Sequence, residues 1–135
     1  MQGALTMSES SQQMQELKIV DAQGRPRIVL SAKTAEPGIT WLREDGQAAA
    51  SLSISGSGHA ALSLNAVAAD QPNAVLEIDD KGTHVKFTRK NGASAYLFLN
   101  NEGVSGLVLL DNQGKRRFNV LVPEEGPVQL RQIDD

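Results

Sequence analysis

The sequence predicts an all-β protein: an antiparallel meander of tandem β-hairpins with about ten strands. Three observations carry this expectation. Gly82, Gly92, Gly103, Gly114 and Gly126 recur about every 11 residues, which is one strand plus one turn. Parallel neighbours need crossovers of a dozen or more residues, so this cadence implies antiparallel pairing. Second, the segments Asp21–Gly24, Asp79–Gly82, Asn100–Gly103 and Asp111–Gly114 all open with Asp or Asn and close with Gly. The leading side chain can accept a backbone N–H, and the closing glycine can take the positive φ of a type I turn with a G1 bulge. Asn91-Gly92 reads as a two-residue type I′ turn, and Glu44–Gly46 as a relative of the longer form. Third, Leu17–Leu30 aligns without gaps on Leu107–Val120. Leu17 meets Leu107, Ile19 meets Leu109, the Asp-x-Gln-Gly turns coincide, and Arg25 and Arg27 meet Lys115 and Arg117, which marks an internal repeat.

Met1–Gln15 is rich in Ser and Gln and is expected to be a mobile arm or a short helix from Ser8, ahead of a single domain over residues 16–135. Strands are expected at Glu16–Val20, Arg25–Ala32, Ile39–Arg43, Ala48–Ser55, His59–Asn65, Ala74–Asp79, Thr83–Arg89, Ala93–Asn100, Val104–Leu110, Lys115–Val122 and Val128–Gln132. In the fourth and fifth, Leu52, Ile54, Leu62 and Leu64 alternate with polar residues and should face a core. The opposite side, made by Ser51, Ser53, Ser55, Ala61, Ser63 and Asn65, suits either solvent or close approach of another sheet. Tyr96–Leu99 and Leu107–Leu110 are apolar on both faces and are expected to be buried on both. Pro37, Pro72, Pro123 and Pro127 fall in connections, whereas Pro26 opens a strand and points to an edge. Such a meander closes as a barrel, packs as a sandwich, or stacks as a hairpin solenoid or prism completed by neighbouring subunits; the sequence leaves these open.

Composition narrows the function. With 40% apolar and 21% charged residues, a chain of 135 residues suits one soluble globular domain. Aromatic residues, at 4%, are too few for an aromatic-lined pocket or a stacking platform for single-stranded nucleic acid. A net charge of −3 gives no overall attraction to nucleic acid or anionic membranes. The absence of cysteine excludes disulfides and thiolate metal sites. No apolar run reaches the roughly 18 residues of a membrane span, and the first fifteen residues lack the layout of a signal peptide. The compartment stays open.

Each chemical motif has a structural reading that accounts for it. Gly56-x-Gly58-x-x-Ala61 imitates a dinucleotide fingerprint, but a strand follows where a phosphate-binding helix is required, so a hairpin loop is expected. His59 and His84 stand alone, and a zinc site needs three or four ligands. Gly103–Gly106 lacks the spacing of a nucleophile elbow. Asp21, Asp45, Asp79, Asp80 and Asp111 fall in turns, with weak calcium binding as the alternative to turn formation. Arg25, Arg27, Lys115, Arg116 and Arg117 make an anion patch if the two matching hairpins meet; otherwise they guard strand ends, as do Lys86, Arg89 and Lys90. Trp41 either closes a core or anchors a partner.

No catalytic, metal or cofactor residue is assigned. The expected function is a non-catalytic structural or protein-interaction module that associates with itself or another protein. The alternative is a small barrel enclosing an apolar or anionic ligand against Phe87, Phe98, Leu109 and Phe118.

Overall fold

A computed structural model describes residues 11–134 and contains no helix among them. Ser11–Gln15 is therefore not the expected short helix, and Met1–Ser10 lies outside the described residues. The strands are β1 (Glu16–Val20), β2 (Pro26–Ser31), β3 (Gly38–Leu42), β4 (Ala48–Ile54), β5 (Ala60–Leu64), β6 (Asn73–Asp79), β7 (Gly82–Thr88), β8 (Ser94–Asn100), β9 (Ser105–Leu110), β10 (Arg116–Val122) and β11 (Gln129–Gln132). Each falls where alternation and turn residues place it, to within a residue at either end. They form one 11-stranded antiparallel sheet in sequence order, open at β1 and β11. No strand contacts any other than its neighbours in sequence. The chain thus makes a meander and, by itself, neither a barrel nor a sandwich.

One turn recurs at Asp21–Gly24, Arg43–Gly46, Ser55–Gly58, Arg89–Gly92, Asn100–Gly103 and Asp111–Gly114. In each, the glycine N–H donates to the carbonyl of the first residue at 2.9–3.1 Å. The first residue's own N–H donates to the carbonyl just past the glycine at 2.8–2.9 Å. The six glycines have φ between 75° and 103°, and among the described residues no non-glycine residue has positive φ. Asn91-Gly92 is therefore not a type I′ turn, which requires positive φ at both positions; the reversal starts earlier, at Arg89. Gly56–Gly58 belongs to the same kind of turn and leads into β5, as expected of a hairpin loop.

Asp79–Gly82 departs from this type. Asp79 pairs directly with Gly82, leaving Asp80 and Lys81 alone at the tip. Gly82 has φ 146°, and a Cβ there would lie 2.3 Å from the Leu99 carbonyl oxygen, so close approach of β8 demands this glycine. Pro26 does not mark an edge either, because β2 pairs on both sides. It is accommodated as the first residue of its strand, opposite Val20 where the ladder shifts register.

The register carries one row of side chains from edge to edge. Leu17, Leu30, Ile39, Leu52, Leu62, Leu76, Val85, Leu97, Leu107, Val120 and Leu130 stand opposite one another across successive strands, and every one is apolar. On the other face the corresponding row runs Lys18, Val29, Thr40, Ser51, Ser63, Val75, Lys86, Tyr96, Val108, Asn119 and Arg131. The sheet therefore has an apolar face and a mostly polar one.

Burial is inverted relative to a globular domain. The buried residues, Val108, Asn119, Gly82 and Gly106, belong to the polar face, where the Phe98 ring and Leu121 fill the space above Gly106. On the apolar face Leu97 is 58% exposed and Phe87 and Leu64 are each 51% exposed. Leu52, Ile54 and Leu64 thus face no core within the chain, and Tyr96–Leu99 and Leu107–Leu110 are covered on one side only. A compact protein of 14.4 kDa exposes roughly 6,800 Å². The whole chain exposes 10188 Å².

Candidate functional site

The apolar face is built from a repeated strand pattern. In β4 through β9 the residues on this face read small, then Leu or Val, then large: Ala50-Leu52-Ile54, Ala60-Leu62-Leu64, Ala74-Leu76-Ile78, Thr83-Val85-Phe87, Ala95-Leu97-Leu99 and Ser105-Leu107-Leu109. Alternate strands run in opposite directions, so the small residue falls toward one end of the sheet in one strand and toward the other end in the next. Along one flank the cross-strand neighbours read Ala50, Leu64, Ala74, Phe87, Ala95 and Leu109. The other flank carries the complement, including Ile54 beside Ala60, and Thr83 beside Leu99 beside Ser105. A continuous ridge of Leu and Val therefore runs between two flanks of alternating knobs and hollows. No charged residue interrupts the face between Leu17 and Leu130.

Strands about 4.8 Å apart and four to seven residues long give the face an extent of about 48 Å by about 18 Å, or roughly 900 Å². That matches the approximately 800 Å² that each partner contributes to a stable protein interface. Toward the β1 edge the face is hollowed by ≈ 440 Å³ between Leu17, Leu30, Ile39, Leu52 and Ile54. Trp41 stands on the same face opposite Ala50, so it is a knob of the exposed flank and closes no core.

The titratable residues are engaged in construction of the sheet. Asp21 accepts the N–H groups of Gln23 and Arg25, each at 3.0 Å, through Oδ1, and its Oδ2 receives Arg25 Nε at 2.8 Å. Arg27 reaches the same Oδ2 at 3.5 Å. The matching hairpin repeats this: Asp111 Oδ1 accepts the N–H groups of Gln113 at 2.9 Å and Lys115 at 3.0 Å, and Arg117 approaches Oδ2 at 3.5 Å. The Asp-x-x-Gly-x-x-Arg repeat is thus one structural unit, with one carboxylate oxygen for the turn and the other for the arginine. The Arg116 guanidinium donates to the Tyr96 hydroxyl at 3.4 Å. Eight strand spacings, roughly 38 Å, separate the two hairpins, so Arg25 and Arg27 do not meet Lys115, Arg116 and Arg117 within one chain.

Burial alone would raise the Asp21 carboxyl, but the bonds from the Arg25 N–H and guanidinium and from the Gln23 N–H hold it below its ordinary value. The Lys81 N–H, joined by that of Gly82, likewise holds Asp79 low. His84 Nε2 lies 2.8 Å from Glu77 Oε1, directly across the β6–β7 ladder. His59 Nε2 lies 3.6 Å from Asp80 and its Nδ1 contacts Ser57 Oγ at 3.2 Å. Among the described residues no cluster of His, Asp and Glu is arranged to hold a metal ion. Phe87, Leu109 and Phe118 share the apolar face while Phe98 lies on the other, so these four line no common interior.

Comparison with protein-family models, with curated proteins and with solved structures returns no match. Among the described residues no helix is long and apolar enough to cross a membrane.

Proposed function

We propose that this protein is a non-catalytic structural module that self-associates through the apolar face of its sheet. The observation that carries this reading is the unbroken apolar row from Leu17 to Leu130, left in water by a chain that folds as one layer. Monomeric proteins seldom leave contiguous apolar patches beyond a few hundred Å², and larger ones mark interaction surfaces. The roles of Asp21, Asp79, Asp111, His84 and Arg25 in turns and cross-strand bonds support the absence of catalytic work, since their polar atoms already serve the fold.

Native mass measurement at micromolar concentration tests the proposal. A defined oligomer is expected. A strict monomer, stable and well dispersed at that concentration, overturns it.

A further inference from the structure

Resting on that reading, we infer that the face is occupied by a second copy of the same sheet. The two copies would be related by a two-fold axis that lies between the sheets, runs across the strands, and follows the central Leu and Val row.

The size pattern fits this axis. Rotation about it sets every strand antiparallel to its own counterpart and exchanges the two flanks. Ala74 of one copy then faces Ile78 of the other, Phe87 faces Thr83, and Ala95 faces Leu99, so each knob meets a hollow. A two-fold axis parallel to the strands and through β6 sets β8 over β4 and β7 over β5, which stacks Ala95 on Ala50 and Phe87 on Leu64, small on small and large on large. Shifted to the gap between β6 and β7, such an axis also brings Phe87 over Ala74 and Leu64 over Ala95, and there the charges at the sheet ends decide.

Charge supports the choice, and twist is compatible with it. Successive strands rotate about the line running across the sheet, and a two-fold axis along that line or along a central strand keeps paired strands aligned, so twist permits both. Every arginine except Arg131 lies at or next to the end that carries the Asp21–Gly24 turn. The opposite end carries Glu36, Asp80, Glu102, Glu124 and Glu125 in its connections against Lys33 and Lys81, and no arginine. The inferred axis lays one end over the other, whereas the alternative stacks like on like.

A double-mutant cycle on the dissociation constant tests the inference with the full chain. Ala95 and Leu99 sit about 13 Å apart along one strand, too far to couple within a chain, so any coupling must pass through the second copy. Ala95→Leu and Leu99→Ala are each expected to weaken association roughly tenfold or more. The double variant carries both changes, so the knob and the hollow trade places and again meet across the axis; it is expected to return to within a few-fold of the parent. The same cycle at Ala74 and Ile78 provides an independent pair if a variant at 95 or 99 fails to fold. Additive losses in an oligomer that still forms overturn the two-fold arrangement and leave self-association standing. A parent chain that is monomeric at micromolar concentration, or that is taken up by phosphatidylcholine vesicles instead of pairing, overturns both.

Discussion

Glycine carries two distinct demands in this chain. At Gly24 and Gly114 the demand is conformational: φ is 78° and 75°, and a Cβ would meet nothing within 4 Å. Substitution by valine should therefore cost only backbone strain, about 1–2 kcal/mol at each site, read as a lower urea midpoint with an unchanged slope. Asn at either position should recover most of that loss, because its side chain tolerates the left-handed region. At Gly106 the demand is space, since an added Cβ would lie 2.6 Å from the Phe98 ring and 2.7 Å from Leu121. Gly106→Ala should cost about 1–3 kcal/mol by overpacking, and Phe98→Leu in the same chain should relieve part of it, measured by the same unfolding curves. Gly24 and Gly114 were legible from their spacing and from the Asp that opens each turn, whereas nothing around Gly106 in the sequence signals that a ring lies over it.

Hairpins are the elements in which sequence and structure agree most closely, and the reason is local. Each strand and its turn satisfy their backbone groups through neighbours close in sequence, so alternation and turn chemistry suffice to place all of them. What escaped was the choice between turn types, as at Arg89–Gly92 and Asp79–Gly82, because that depends on the approach of adjoining strands. The Asp turns also make the sheet sensitive to acid. The carboxyls of Asp21 and Asp79 are lowered in the folded state, so their contribution is complete above the unfolded carboxylate value near 3.9 and is lost as pH falls through the folded value. Stability should accordingly fall as the pH drops below about 4, with Asp21→Asn and Asp79→Asn flattening that dependence. Amide exchange at Gln23 and Lys81 reports it locally, and protection indifferent to acid in the parent would show that these carboxylates do not hold the turns.

For the whole molecule, the sequence contains both faces but not their fate. The small-then-large order is present in Ala74-Leu76-Ile78 and Ala95-Leu97-Leu99, yet only the antiparallel order of strands turns it into alternating knobs and hollows. Alternation likewise marks Leu52 and Leu64 as facing a core, but cannot say whether the chain itself supplies the second layer. A single sheet gains little by burying one side, and hairpins with no layer packed against them are marginal in water. Folding and association should therefore be one equilibrium, with a melting temperature that rises with protein concentration. Leu97→Glu places a charge on the central row and should both dissociate the oligomer and lower the melting temperature by several degrees. Thr88→Glu adds the same charge to the polar face and should change neither, because that side chain already stands in water. If Leu97→Glu left mass and melting temperature unchanged while the parent melted independently of concentration, the layer would be stable alone, and the apolar face would need another explanation.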